Sequence, residues 1–409
     1  MARFQDIFFG IITLLLAFAS CSQPSKIDVQ PSCSVPVIRL DTRNKAPITS
    51  REHWRAGMIC VEDSSVELDM LVRGRGNTTW TLSDKKPFRI KLDDPYPLLG
   101  LHSSKHFVLL SEATTPFSML AAIAAFELSR RLDMPFTPEA KPVELVINGE
   151  YNGLYLLTEQ VRVEPARIDV KRWSRHPSQY LNDTGGWLLE IDGWNTYSRI
   201  NLPSQLGLTL PIEYHYPKQL DGWQRDYITQ LLQRVDSAIC TSDKNSRAWE
   251  DLVDIDILAK YYIINEVMDN CEAFSGSCWF SKRDMADSKI EFGPVWDFGS
   301  AFAHRSIDKP ECFIYQEVPK YCSPLWLKEL VRFPRFQECV KQHYRQLKAM
   351  QGDDLDAVID DFVRQTHLAS QAEAKRWPES PVGHLKENAT WVKQYLKRKI
   401  QFLDKQWLQ

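Results

Sequence analysis

The sequence lacks the patterns that most directly mark a metal or nucleotide site. It has no Cys-x2-Cys pair and its nine histidines are scattered, so no zinc-finger spacing is present. It has no Gly-x4-Gly-Lys-Ser/Thr segment, which excludes a P-loop. The formal net charge is only −3 over 409 residues, so the composition predicts neither a nucleic-acid partner nor a basic membrane-binding surface.

Internal repeats are absent, and no stretch of linker-like composition occurs after residue 34. The chain is long enough for two or three average domains. Because no linker divides it, we predict a single two-lobed domain over residues 35–409. Its N-terminal lobe is placed at about 35–165 and its C-terminal lobe at about 166–409.

The longest hydrophobic run lies at the N-terminus, from Phe8 to Ala19, after a single basic residue, Arg3. The run is too short to span a bilayer as a helix. Ala19 and Ser20 are small residues directly before Cys21, a pattern that resembles a bacterial lipoprotein cleavage site. An ordinary signal peptide followed by an unrelated cysteine is the alternative.

The cleavage-site pattern predicts a lipoprotein signal peptide over residues 1–21, with the lipid attached to Cys21. Residues 22–34 are rich in Ser, Pro and Gln and are predicted to form a flexible tether. The protein is therefore expected in the bacterial cell envelope, anchored to a membrane through its lipid alone and facing the periplasm or the exterior.

Cysteine is infrequent, with nine residues in all. Lipidation of Cys21 would leave an even number in an oxidising compartment, where disulfides form. Cys312 and Cys322 flank a short loop and are predicted to form a disulfide, whereas the sequence leaves the other pairings open.

An apolar segment before residue 300 contains one carboxylate between two aromatic rings. Ile290 to Val295 has the composition of a strand, and Trp296-Asp297-Phe298 follows at the strand end. An ionised Asp in an apolar setting requires a hydrogen-bonding partner or a cation, and Mg²⁺ is typically held by one or two carboxylates plus substrate phosphates. Asp297 is therefore a candidate metal ligand, and an Asp that caps the loop is the alternative.

Two segments near residue 80 supply candidate phosphate ligands. The Gly-x-Gly turn at residues 74–76 allows the backbone to approach a phosphate closely. Strand alternation in Phe88-Arg-Ile-Lys-Leu92 places its two cations on one face. A hairpin turn and an ordinary solvent-facing strand are the alternatives. The candidate phosphate ligands are Arg75, Asn77, Lys86, Arg89 and Lys91.

The order of the predicted elements indicates an α+β fold with a strand-rich first lobe and a helix-rich second lobe. A hairpin is predicted from Val143 to Thr158, because Asn148-Gly149 is a strong type I′ turn signal. One helix is predicted from Thr115 to Leu132. Its Glu127 is expected either to pair with a strand lysine or to lie on the surface beside two arginines.

The second half of the chain contains the other candidate acidic residues. Helical spacing from Ile257 to Met268 predicts a buried helix that ends at Asp269. A short strand before it places Glu190 and Asp192 near the junction of the two lobes. The cleft between the lobes is the default site for a ligand.

Five motifs occur in an order that resembles the spore-coat protein H (CotH) kinase-like family. They are Arg73-Gly-Arg-Gly-Asn-Thr-Thr-Trp80, Lys85-Lys-Pro-Phe-Arg-Ile-Lys-Leu92, Val146-Ile-Asn-Gly-Glu-Tyr-Asn-Gly-Leu-Tyr-Leu-Leu-Thr-Glu159, Gly185-Gly-Trp-Leu-Leu-Glu190 and Gly293-Pro-Val-Trp-Asp-Phe298. The resemblance runs from about Val35 to the C-terminus. It implies an atypical protein-kinase-like fold that transfers phosphate from ATP to Ser, Thr or Tyr hydroxyls of a protein substrate, with Mg²⁺ or Mn²⁺.

The resemblance also implies roles for single residues. Asp269 and Asp297 are expected to form a metal site, with Asp269 as the second ligand or as the base for the acceptor hydroxyl. Ser277 stands where an Asn-like metal ligand is expected. Glu159, at the end of the third motif, is placed in the nucleotide site.

The chain departs from the family pattern at several positions. Relatives generally have an Asp before the first long helix and an Arg-Asn pair in its first turns, where this chain has Thr114-Thr115 and Leu120-Ala121. Gly299 stands where many relatives have a second Asp. These departures, together with the expected scarcity of ATP outside the cell, favour an alternative function. The alternative is a pseudokinase-like scaffold, or a lipoprotein that binds surface glycan or coat components.

Overall fold

A computed structural model of the chain describes residues 29–61, 66–111, 116–173, 185–193, 198–284, 288–302, 310–316 and 325–409. The predicted lipidation site Cys21, the disulfide partner Cys322 and the helix residue Thr115 lie outside these ranges. Within them, no helix is both long and apolar enough to cross a membrane.

The chain forms a mixed structure of strands and helices, as the sequence predicts. Its strands are β1 (Val37–Thr42), β2 (Arg55–Val61), β3 (Glu67–Gly74), β4 (Phe88–Tyr96), β5 (Ser104–Leu110), β6 (Ala140–Ile147), β7 (Glu150–Glu159), β8 (Gly185–Ile191), β9 (Arg199–Pro203), β10 (Thr209–Tyr216), β11 (Cys278–Asp284) and β12 (Ile290–Phe292). Its helices are α1 (Thr78–Leu82), α2 (Ser118–Arg131), α3 (Gly222–Ile239), α4 (Ile255–Val267), α5 (Trp326–Leu330), α6 (Pro334–Ala349), α7 (Asp356–Arg376) and α8 (Leu385–Trp407).

The first seven strands close into a barrel in the order β1-β2-β3-β4-β5-β7-β6. Neighbouring strands are antiparallel except β1 and β6, whose parallel pairing closes the ring. The sequence predicts strands here but not their closure, because closure depends on pairing between distant segments. A closed barrel leaves no strand edge exposed to other chains.

Strand β4 has the alternation that the sequence predicts. Phe88, Ile90 and Leu92 are 4%, 0% and 1% exposed and belong to the core inside the barrel. Arg89 and Lys91 therefore point to the outside of the barrel, where both are partly exposed. Strand pairing thus places the two predicted phosphate ligands on one surface.

The predicted hairpin is confirmed as β6 and β7. The loop between the strands consists of Asn148 and Gly149, which have φ values of 55° and 86°. Positive φ at both loop residues is the geometry of a type I′ turn. The strands pair in register from Ala140 opposite Thr158, with one irregularity near the turn.

Helix α2 begins at Ser118, slightly later than the sequence predicts. Its Glu127 accepts hydrogen bonds from Arg130 Nε (3.1 Å) and Arg131 Nε (2.8 Å). Glu127 therefore pairs within its own helix, which is the surface alternative, and these contacts are the ones expected at i, i+3 and i, i+4 spacing.

The end of the predicted tether lies against the barrel. The Glu144 carboxylate, which is fully buried, accepts hydrogen bonds from the backbone N–H groups of Ser32 and Cys33, each at 2.8 Å. The Tyr151 hydroxyl donates to the same carboxylate at 2.8 Å. Residues 29–34 are thus attached to the domain instead of extending away from it.

The second half of the chain is less helical than predicted, because it contains a five-stranded sheet in the order β12-β11-β8-β10-β9. Glu190 of β8 lies opposite Glu213 of β10 and opposite Trp279 of β11, so these side chains share one face. Leu189 and Phe280 point to the other face, into the core formed with α3 and α4. Strands β9 and β10 were missed because they are short and contain several polar residues.

Candidate functional site

The turn that follows β3 requires both of its glycines. A Cβ on Gly74 would lie 2.1 Å from the ring of Trp80, and Gly76 has a φ of +79°. The Gly74 N–H donates to Ser50 O at 2.8 Å. The motif therefore encodes a tight turn with Trp80 packed on its backbone, and this turn fixes the position of Arg75.

Arg75 connects the barrel to the loop that contains Asp297. Its guanidinium lies 6.0 Å from the ring centroid of Trp296. Burial lowers the pKa of Arg75, and the negative charges of Asp297 and Glu190 oppose that change. The structure thus brings together a predicted phosphate ligand, the predicted metal ligand and an acidic residue of the second sheet.

Asp297 is exposed, although its neighbours Trp296 and Phe298 are 9% and 2% exposed. The sequence predicted an apolar setting for this carboxylate, and the setting applies only to the flanking rings. Its Oδ1 accepts from Gly299 N–H at 3.2 Å, and its Oδ2 lies 3.4 Å from the Ser277 hydroxyl. Asp297 therefore caps its own loop and still presents an exposed carboxylate beside Ser277.

Glu190 is the most perturbed acid near Asp297. Burial raises its pKa well above the usual value, and the charges of Asp192 and Asp297 raise it further. Arg75 and a hydrogen bond with Ser277 act in the opposite direction. Glu190 is thus a buried carboxyl beside a second carboxylate, a setting in which a bound cation would favour the charged form.

Glu190 and Glu213 form an acidic group on the second sheet, and His215 lies beside them. Its Nε2 lies 2.7 Å from Glu190 Oε2 and 3.8 Å from Glu213 Oε2. Burial lowers the pKa of His215 to about 4, with the charge of Arg89 acting in the same direction and that of Glu213 opposing it. Ligand atoms of Glu190, Glu213 and His215 all lie within 4.8 Å of one another.

No local sequence pattern indicated Glu213 and His215, because only the pairing of β10 with β8 brings them to Glu190. Glu272 is a further acid that sequence reasoning missed. The Ser300 hydroxyl donates a hydrogen bond to Glu272 Oε2. Burial raises the pKa of Glu272, and the charge of Asp297 raises it further. Glu272 thus belongs to the same site as Asp297.

Basic groups on the outside of the barrel face this acidic group. Burial lowers the pKa of Arg89 to about 10, and the charges of Arg73, Arg162 and Arg75 lower it further. His106 has a pKa of about 3 because of burial and the surrounding cations, which include Lys91. Such mutual repulsion is relieved when an anion binds.

Several buried nitrogens in this basic group lack a hydrogen-bond partner among the described residues. They include Nε of Arg73 and Nδ1 of His106. An unmatched buried polar nitrogen is costly, so an incoming acceptor would be stabilised there. Phosphate oxygens have the charge and the acceptor character that these nitrogens require.

The structure does not place Asp269 with Asp297 as a second exposed carboxylate. Asp269 is 2% exposed, and its oxygens accept from the Tyr395 hydroxyl (2.7 Å) and from Lys399 Nζ (3.0 Å). Lys399 Nζ also donates to Glu266 Oε1 at 2.6 Å. These contacts tie the end of α4 to α8, so Asp269 supports the loop that follows it.

Three other predicted ligands also have protein partners. Glu159 is fully buried and accepts from the backbone N–H groups of His102 (2.9 Å) and Glu139 (3.2 Å). Asn77 Oδ1 accepts from Arg51 at 2.7 Å. Lys86 Nζ donates to Trp80 O at 2.6 Å. These residues shape the turn and its surroundings, whereas Arg75, Arg89 and Lys91 belong to the basic surface itself.

A cleft of about 520 Å³ lies between the barrel, the end of α2 and the second sheet. Its walls include Met134, Phe136, Arg167, Ser281 and Pro294. Small-molecule sites commonly have volumes of about 300–1,000 Å³ with apolar walls and a few polar groups. The cleft is therefore large enough for a nucleoside.

The oxygen ligands around Asp297 fit a hard divalent cation. Carboxylates of Asp297 and Glu190 lie near the Ser277 hydroxyl, and Mg²⁺ or Mn²⁺ prefers carboxylate and hydroxyl oxygens to sulfur. Comparison with curated proteins finds no match. The model of the family described as "CotH kinase protein" matches residues 72–403, which include the turn, the basic surface, the acidic group and Asp297. This chain belongs to the CotH kinase protein family.

Proposed function

We propose that this kinase-like protein binds ATP with Mg²⁺ or Mn²⁺ and transfers phosphate to a hydroxyl group of a protein substrate. The observation that carries the proposal is the position of Arg75, which interacts electrostatically with Asp297 and Glu190 and also with Arg89. A nucleotide triphosphate with its metal requires adjacent cations and carboxylates. Catalysis of phosphoryl transfer is mostly positioning and charge stabilisation, which such an arrangement supplies.

Each part of the site then has a distinct task. Arg75, Arg89 and Lys91 bind phosphate oxygens. Asp297, Glu190 and Ser277 are the residues that would hold the metal. When bound, the metal offsets the negative charge of the phosphates.

We assign Glu272, in place of Asp269, as the general base that accepts the proton of the substrate hydroxyl. The Glu272 carboxyl is partly exposed, and its pKa is raised by burial and by Asp297. A carboxylate with a raised pKa is a better general base near neutral pH than an unperturbed one. The burial of Asp269 and its hydrogen bonds from Tyr395 and Lys399 support the choice of Glu272 over Asp269.

We further propose that the protein acts in the cell envelope as a lipoprotein attached through Cys21. The support is the sequence pattern that ends at Cys21. Fractionation of cells that express wild type and Cys21→Ser tests this, since the wild type is expected with membranes and the variant in the soluble fraction. Wild type that is soluble after export would contradict it.

The central test is calorimetric titration of ATP with Mn²⁺ or Mg²⁺, followed by transfer of radiolabelled phosphate to generic protein acceptors. Wild type is expected to bind and to transfer, and Arg75→Gln to lose both. Arg345→Gln is the matched control, because Arg345 is exposed and pairs only with Glu338 at 3.3 Å among the contacts seen for it. Binding without transfer indicates a pseudokinase-like scaffold, and no metal-dependent binding would contradict the proposal.

A further inference from the structure

A second cluster of metal-ligating side chains lies where α4 meets α6. Asp256 is in the first turn of α4, and Cys339 and His343 are four residues apart on α6. Residues at i and i+4 lie on the same face of a helix. Ligand atoms of all three residues lie within 4.8 Å of one another.

The atoms already converge on the Asp256 carboxylate. His343 Nε2 lies 2.8 Å from Asp256 Oδ1, and Cys339 Sγ lies 3.3 Å from the same oxygen. A tetrahedral Zn²⁺ with nitrogen and oxygen ligands at about 2.0–2.2 Å and sulfur at about 2.3 Å separates neighbouring ligand atoms by roughly 3.3–3.6 Å. Only a small outward movement of the ring is needed to admit the ion.

The second nitrogen of the His343 ring has a partner that is compatible with metal binding. Nδ1 lies 3.2 Å from Gln346 Oε1, so acceptor oxygens face both ring nitrogens. A neutral imidazole has only one N–H and can donate to only one of these oxygens, whereas an imidazolium donates to both. If a metal ion binds Nε2, Nδ1–H donates to Gln346 and every atom is satisfied. Metal-binding histidines usually make such a hydrogen bond with the other nitrogen.

We propose that Asp256, Cys339 and His343 bind one Zn²⁺ ion. Sulfur, nitrogen and oxygen ligands together favour Zn²⁺ over Mg²⁺, which requires oxygen ligands. Cys339 is 1% and His343 8% exposed, whereas 60% of the Asp256 side chain is exposed. The fourth ligand is therefore a water molecule on the Asp256 side.

The ion would act as a clamp between two helices of the core. Helix α4 leads into the loop that contains Glu272 and Ser277, so its position determines where those side chains lie. Zinc binding displaces the thiol proton of Cys339, which goes to solvent. None of the three zinc ligands belongs to the nucleotide site itself.

The test measures Zn²⁺ binding by equilibrium dialysis and the absorption spectrum of the Co²⁺-substituted full chain. We expect one tightly bound metal ion per chain and a Co²⁺ spectrum with a thiolate charge-transfer band. Cys339→Ser and His343→Asn should weaken binding by more than about 100-fold, and Gln346→Ala by about 10–100-fold through loss of ring orientation. Gln346→Glu should restore the affinity.

Matched controls separate this site from other metal binding. Cys240→Ser removes a partly exposed thiol elsewhere, and Glu190→Gln alters the acidic group on the second sheet. Neither is expected to change the Zn²⁺ affinity. The proposal is overturned if wild type binds no Zn²⁺, if its Co²⁺ spectrum lacks the thiolate band, or if Cys339→Ser binds as wild type does. The wild-type spectrum decides the matter even if a variant fails to fold.

Discussion

Lys85 Nζ lies 2.6 Å from Glu373 Oε1, and both side chains are almost fully buried. Lys85 precedes β4 of the barrel, whereas Glu373 is near the end of α7. Glu373 also accepts from Leu154 N–H (2.8 Å) and from the Ser380 hydroxyl (2.8 Å). This ion pair is a fixed connection between the barrel and the helical part of the chain.

Replacement of Glu373 by Gln should destabilise the fold strongly. The change removes the charge opposite Lys85 and leaves a buried ammonium group without its counterion, which costs about 3–5 kcal/mol. Urea unfolding at neutral pH measures the loss. Lys393→Ala is the control, because Lys393 and Asp360 also lie 2.6 Å apart but are partly exposed, and such pairs contribute about 0–1 kcal/mol. Equal losses in the two variants would refute this interpretation.

Replacement of Gly74 by Ala should disturb both the barrel end and nucleotide binding. The added Cβ would lie 2.1 Å from the Trp80 ring, so the ring and the turn must move, at a cost of about 1–3 kcal/mol. Arg75 moves with the turn, so the affinity for ATP with Mn²⁺ should fall as well. Gly222→Ala is the control, because nothing lies within 4 Å of its added Cβ. A Gly74→Ala protein with wild-type stability and affinity would contradict the assigned role of the turn.

Local sequence patterns predicted the elements whose geometry depends on neighbouring residues. The alternation of Phe88, Arg89 and Ile90 predicted the two faces of β4, and Asn148-Gly149 predicted the hairpin turn. These predictions succeeded because strand pleating and positive φ values act over a few residues. The family motifs added the turn at Arg75 and the loop at Asp297.

Contacts between distant segments were not predictable from one sequence. Glu213 reaches Glu190 only through the register of β10 on β8, and no local pattern encodes that register. The family resemblance implied that Asp269 is a second metal ligand or the base, and its contact with Lys399 on the last helix could not be read from the local sequence. Nonlocal pairing thus decided which of the acidic residues form the site.

The His106 ring should make stability depend on pH. Its pKa falls from the ordinary 6.5 to about 3 in the folded protein, so the unfolded chain binds a proton that the folded chain does not. Stability from this group is fully present above pH 6.5 and is lost as the pH falls from there toward 3. His106→Gln should lose less stability on acidification than wild type, as measured by urea unfolding at several pH values.

The same ring reports on anion binding. Burial lowers the pKa of His106, and the neighbouring cations lower it further. A phosphate group beside Arg89 and Lys91 would offset the effect of the cations, so ATP should raise this pKa in an NMR titration. His367, which is exposed on α7, provides the control resonance. An unchanged His106 titration at saturating ATP would place the phosphates elsewhere.

Asp297→Asn and Asp269→Asn should differ in their effects: the first should remove metal-dependent ATP binding, and the second should lower stability. Asn at 297 keeps an acceptor for Gly299 N–H, so the fold should be retained, and without metal it should be slightly more stable because one repulsive charge beside Glu190 is removed. Metal-dependent ATP binding should be abolished in this variant, since the exposed carboxylate is missing.

In Asp269→Asn, the buried ammonium of Lys399 loses a charged partner, so stability should fall by about 1–3 kcal/mol. Its residual folded fraction should still bind ATP with Mn²⁺, because Asp297, Glu190 and Ser277 are unchanged. Calorimetric titration beside urea unfolding measures both effects. If Asp269→Asn lost metal-dependent binding at wild-type stability, Asp269 would be a metal ligand after all, and the assignment of Glu272 as the base would lose its basis.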